Sequence, residues 1–169
     1  FTLRKVAKAC NVSQTAPYRH YKNKDELIAA ITMQAMEAFD KRLKEAVALH
    51  PDDPAGQLRE LGLSYIAFFT ENPEYLRLLF LSDIQKHMRN AGLGKAGCQQ
   101  AGLHLHQEHP FSTLLEAVVR YKSVRPDLIM GQDELVLSCW GLVHGISSLI
   151  AAGELPSGPD MMALADKII

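Results

Sequence analysis

Cysteine is scarce in this chain and poorly placed for cross-linking: Cys10, Cys98 and Cys139 are odd in number and far apart. That excludes a disulfide framework and the close pairs of a zinc module, and points to a reducing, cytoplasmic setting. Excess positive charge is also lacking. The 169 residues carry a net charge of −1, which evenly spread would argue against a strong nucleic-acid binder. No secretory leader is recognisable, and strand-like alternation persists nowhere. There is no Ser-His-Asp order, no catalytic carboxylate pair and no phosphate-cradling glycine loop, since Gly92-x-Gly94 has no strand context. Neither catalysis nor a cofactor is expected. Finally, Leu135 to Gly153 contains no Asp, Glu, Lys or Arg, long enough to suggest a membrane span. It nevertheless holds Ser138, His144, Ser147, Ser148 and three glycines, between the acidic flanks Asp133, Glu134 and Glu154. A helix buried in a bundle or an oligomer interface explains it better than a membrane.

What charge there is, is unevenly distributed. Residues 1–24 carry Arg4, Lys5, Lys8, Arg19, Lys22 and Lys24 without a single acid, whereas residues 25–169 carry 12 basic and all 19 acidic residues. A basic end on an acidic body places an anion-seeking surface at one end, or simply a solvated helix face. The chain opens at Phe1 without an initiator Met, so residues upstream are expected to be missing.

Apolar residues recur at helical spacing throughout, giving an all-α fold. Leu3, Val6, Ala7 and Cys10 share one face of a first helix with Thr2 as N-cap, and Asn11 suits the left-handed residue that ends it. Ser13 is expected to cap a second short helix, Gln14 to about Tyr21, with Pro17 at the edge of where its ring is tolerated. Asn23 and Glu26 form a capping-box start for a long helix with a stripe of Leu27, Ile31, Ala35, Phe39, Leu43 and Val47. Asp53-Pro54 and Asn72-Pro73 open the next two helices, the second running to Ile84. Ala91 to Pro110 reads as a long Gly/Gln/His loop. Helices follow from Phe111 to Val124, from about Gln132 to Ala152, and after Asp160 as cap.

The first two helices, joined by a tight turn, have the organisation of a helix-turn-helix. A recognition helix presents short polar groups to base edges and basic or hydroxyl groups to phosphates. Ser13, Gln14 and Thr15 supply the polar start, and Gln pairs bidentately with adenine. Tyr18, His20 and Lys24 suit phosphates, Arg4 a phosphate or a guanine edge, and Thr2 and Arg19 complete the candidate DNA-binding set. Tyr21, with Ala16, is read as facing the first helix, whereas Tyr18 is read as exposed.

The run VSQTAPYRHYKNKDEL resembles the recognition helix and following helix start of the tetracycline-repressor (TetR) family of transcription regulators. Tyr18, His20, Tyr21 and Lys24 stand where that family has its recurrent Tyr, His or Phe, and Lys. The resemblance implies that Tyr18 and Lys24 touch the DNA backbone and that Gln14, Thr15 and Arg4 face bases. Asn11 departs from the usual Gly at the turn, and the family's first helix is absent from the chain as given. Trp140-Gly141-Leu142-Val143-His144-Gly145 is similar to the C-terminal region of a subgroup marked by Trp, His and Gly. The implied organisation is a partial DNA-binding domain over 1–26 and a helical effector-binding and dimerisation domain over 27–169. Its partners are a double-stranded DNA operator, an unknown small-molecule effector and a second copy of the chain.

Within the body, Gly141, Gly145, Ser148 and Ala152 form a small-residue stripe that lets another helix approach, the candidate dimer interface. Tyr65, Phe68, Phe69, Phe80 and Trp140 are candidate ligand-binding residues with His144 as polar contact, although the same residues equally make an ordinary core. His104, His106 and His109 have a spacing that zinc or nickel accepts, but no Cys or dense carboxylates lie near, and no metal is assigned. The rival reading is a helical ligand-binding or protein-interaction module that never meets DNA; a helical enzyme is the weakest of the three.

Overall fold

The computed structural model describes residues 2–80, 86–87, 90–91 and 110–169. Ile84, Cys98, the glycines at 92 and 94, most of the expected 91–110 loop and its three histidines lie outside them. The regular elements among the described residues are all helical: α1 (Leu3–Ala9), a 3-10 turn (Pro17–Arg19), α2 (Lys24–Ala48), α3 (Pro54–Glu71), α4 (Pro73–Phe80), α5 (Pro110–Val124), α6 (Gln132–Ala152) and α7 (Pro159–Ile168).

Local chemistry sets most of the helix ends. The Lys5 amide donates to Thr2 Oγ1 at 3.3 Å, satisfying one of the donors a helix start leaves free. Asn11 adopts φ 53°, its amide donates to the Lys8 carbonyl, and the Val12 amide reaches back to Ala7. Those paired bonds past a left-handed residue close α1 tightly. Asn23 Oδ1 accepts from the Glu26 amide at 2.9 Å, and Glu26 Oε2 accepts from the Lys22 amide at 2.7 Å, so the capping box closes one residue earlier than its usual form. Asp53 caps α3 ahead of Pro54, and Gly153, at φ 79°, ends α6. Asp160, by contrast, is not the cap of α7. Pro159 presets the helical φ, so the chain turns at Gly158 and Asp160 falls in the first turn.

The expected helix from Gln14 to Tyr21 is replaced by tighter geometry. Ala16, Tyr18, Arg19 and His20 each donate to the carbonyl three residues back, at 3.0–3.2 Å. Pro17 has no N–H to bond Ser13, so the α-ladder is interrupted where it would start. Ser13 Oγ lies 3.2 Å from Thr15 Oγ1 instead of capping a helix.

α3 is the centre of the body and packs against α2, α4, α5, α6 and α7. It buries Leu61 and Ile66 as well as Tyr65, Phe68 and Phe69, so more than one of its faces is covered. Phe39 of α2 meets Phe69, Phe68 and Tyr65 at centroid separations of 4.8, 5.0 and 5.2 Å, in tilted and edge-on pairs. Such pairs add to burial, itself worth about 1.5–3 kcal/mol for a fully buried side chain of this kind. A Cβ at Gly62 would meet Ile169 at 3.1 Å and Val143 at 3.4 Å, so α6 and the chain end crowd against this glycine.

Candidate nucleic-acid interface and effector cluster

Thr2, Arg4, Ser13, Gln14, Thr15, Tyr18, Arg19, His20 and Lys24 are all exposed. α1 turns Leu3 and Ala7 inward, which leaves Arg4 on its outer side. The 3-10 turn holds Tyr18 with half its surface free, enough for its hydroxyl to reach a partner outside the chain. Tyr21 is half-buried and lines an open apolar cleft of about 360 Å³ with Val6, Ala7, Ala16, Pro17 and Leu27. Arg19 and His20 border the same cleft, so the polar set adjoins a small apolar seam.

One contact at this end had no signal in the sequence. Asp25, next to Lys24, accepts from His87 Nδ1 at 2.5 Å and from Asn90 Nδ2 at 2.9 Å. These bonds hold its carboxyl below the usual carboxylate range. Its partners are 62 and 65 residues away, so an acid in the first turn of a helix reads from sequence only as dipole compensation.

In the body, Tyr65, Phe80 and Trp140 converge on His144. The Tyr65 hydroxyl is 2.8 Å from His144 Nδ1. The Phe80 ring lies 4.8 Å and the Trp140 ring 5.9 Å from the imidazole. Burial pushes the Tyr65 hydroxyl's pKa up. Burial pushes the His144 imidazole down, so it is neutral near pH 7. Phe68 and Phe69 instead sit within the core beside Phe39, with Phe69 fully enclosed. Phe111, which sequence reasoning missed, packs edge-on against Trp140 at 5.7 Å. It stands at the start of α5 with 37% of its surface exposed, and no local pattern marks it out.

The two faces of α6 differ. Val136, Val143, Ile146 and Ser147 are buried, while Leu137 and Leu149 keep 66% and 46% of their surface. A Cβ at Gly141 or Gly145 would meet nothing within 4 Å. Ala152 is exposed and Ser148 half-buried, so the small-residue stripe is largely open in the single chain. α6 is the described helix that is long and apolar enough to cross a membrane by length and composition. Among the described residues no group of three or more His, Cys, Asp or Glu side chains is placed to hold a metal.

Residues 58–169 match the family described as tetracyclin repressor-like, C-terminal domain, and residues 1–31 match the bacterial regulatory proteins of the tetR family. A comparison with curated proteins finds no match. Among solved structures, a protein with unknown function from Rhodococcus sp. RHA1 is similar in fold, with a TM-score of 0.69 and 19% identity over 99% of this chain and 82% of that one.

Proposed function

The chain belongs to the tetracycline-repressor family of bacterial regulatory proteins and is a ligand-responsive, DNA-binding transcriptional regulator; from that premise we propose that it is a dimeric repressor, released from a near-palindromic operator by a small molecule. The observation that carries this reading is the joint exposure of nine polar, basic and aromatic side chains at the basic, acid-free end. Gln14, Thr15 and Arg4 read base edges, while Tyr18, Lys24, His20, Arg19, Ser13 and Thr2 hold the phosphate rail. Gln14 and Thr15 stand ahead of the helical residues of this short turn with their side chains exposed.

Dimerisation uses the open face of α6. Leu137, Gly141, Gly145, Leu149 and Ala152 recur at helical spacing, and Leu164 and Ile168 of α7 are exposed as well. This face is assigned to a second copy rather than a membrane. The run Trp140 to Gly145 is assigned to the Trp-His-Gly subgroup. The effector enters beside His144, and its coupling to DNA runs through α4, which carries Phe80 and packs against α2. An effector shifts that equilibrium only by its difference in affinity for the two states. The protein works in the cytoplasm, without catalysis, bound metal or cofactor.

Gel retardation with DNA from upstream of the neighbouring genes tests the reading. Sequence-dependent retention that weakens with salt is expected. Lys24→Ala should lower affinity across sequences and reduce the salt slope by about 1; unchanged affinity and slope refute this docking. Leu137→Glu combined with Leu149→Glu should convert dimer to monomer in analytical ultracentrifugation, and an unaltered mass would refute the interface.

A further inference from the structure

Resting on the reading of the aromatic cluster as the effector site, we infer that the Tyr65 hydroxyl, donating to Nδ1, fixes His144 as a neutral donor through Nε2, and that this donor selects an uncharged aromatic or alicyclic effector bearing a carbonyl-type acceptor.

The protonation pattern follows from what each group is able to give. A tyrosine hydroxyl is both a donor and an acceptor. The Tyr65 hydroxyl then has its own proton to place, and the side chain is buried. Among the described residues the acceptor in reach is His144 Nδ1, at 2.8 Å. Were Nδ1 protonated, the Tyr65 oxygen would accept from it and the hydroxyl's own proton would be buried without a partner among the described residues, an expensive arrangement. Nδ1 is therefore the acceptor. A neutral ring with an unprotonated Nδ1 carries its proton on Nε2. Nε2 has no partner among the described residues, so this donor is available to a ligand.

The surroundings set the rest of the ligand's chemistry. Phe80 lies edge-on to the imidazole, and Phe111 edge-on to Trp140. Both phenyl rings keep 37% of their surface, so the aromatic wall is not closed by the described residues. The rings in contact with His144 belong to Tyr65, Phe80 and Trp140, and none brings a formal charge. Among the described residues in contact with His144, an ammonium would meet a donor and no counter-charge, and a carboxylate one neutral N–H and no cation. Both would lose hydration without return. A ketone, ester or amide oxygen on a flat or ring-shaped hydrocarbon matches the donor and the wall together.

The test uses the full chain and three probes of one skeleton: methyl naphthyl ketone, ethylnaphthalene and naphthylethylamine, titrated by calorimetry near pH 7.5. The ketone should bind roughly tenfold tighter than the hydrocarbon, the increment of one good hydrogen bond, and the amine weakest. His144→Phe should bring ketone and hydrocarbon to equal affinity. The milder Tyr65→Phe should shrink the ketone's advantage, and nitrogen NMR of the His144 ring should change from the Nε2–H form in the wild type to a tautomer mixture. Equal binding of ketone and hydrocarbon, preference for the amine, binding of none of the three, or an Nδ1–H tautomer in the wild type would each overturn the inference. A ketone that binds through His144 yet leaves DNA retention unchanged would uphold the Nε2 donor and refute the effector role.

Discussion

The DNA-reading end and the helical body position their working side chains by different means. At the N-terminal end, Thr2, Asn11, Asn23 and Glu26 hold the backbone through bonds spanning three to five residues, around an apolar cleft of about 360 Å³. In the body, Tyr65 and His144 meet across 79 residues of chain, and Phe39, Phe68 and Phe69 pack ring against ring beneath them. The end needs exposed polar groups on a defined backbone, which local capping provides without a large core. The body needs a polar pair set among apolar rings, which only packing between distant helices provides.

The sharpest way to break that contrast is Phe69→Ala. Phe69 is fully enclosed, so the change should cost about 3–5 kcal/mol in denaturant unfolding; a loss under about 1 kcal/mol would mean the aromatic core is not what holds the body together. Gln14→Ala should act in the opposite sense. Because Gln14 is exposed, stability should move by less than about 0.5 kcal/mol, while discrimination at one operator position falls by about 1–3 kcal/mol in competition retardation assays. Asn11→Ala tests local capping: at φ 53° a Cβ without a helpful amide should cost about 1 kcal/mol, and Asn11→Gly should not, as thermal unfolding would show.

The smallest effect expected is on pH dependence. Burial lowers the His144 pKa from its ordinary 6.5, so the unfolded chain takes up a proton that the native ring resists. The fold should therefore keep its full stability above about pH 6.5 and lose some as pH falls toward the lowered value. Unfolding curves across that window should be flatter for His144→Gln. Asp25 behaves in the same direction at lower pH: its hydrogen bonds with His87 and Asn90 contribute above the ordinary 3.8 and are lost as pH falls through the depressed value.

How much was legible depended on the range of the interaction. The caps at Thr2, Asn11, Asn23 and Asp53 could be read because each involves a few consecutive residues. Pro17 was seen, yet its consequence was underestimated. A missing N–H at that position leaves a 3-10 turn where a helix was expected, because three-residue bonds fit the remaining donors. Spacing grouped Tyr65, Phe68 and Phe69 without separating the side chain that faces His144 from those enclosed around Phe39. The bonds from His87 and Asn90 to Asp25 were invisible, since nothing near Asp25 announces a partner so far along the chain.

By itself the sequence determined the helical class, most helix ends, the basic exposed end with its family, and the small-residue stripe of α6, because these follow from neighbours in the chain and from helical periodicity. Only the tertiary structure decided which face of α6 stays open, which aromatic rings are core and which surround His144, and that the Tyr65 hydroxyl orients the imidazole. Burial and hydrogen-bond partnership are properties of the packed chain. One residue type is enclosed or exposed according to which distant helix lies against it.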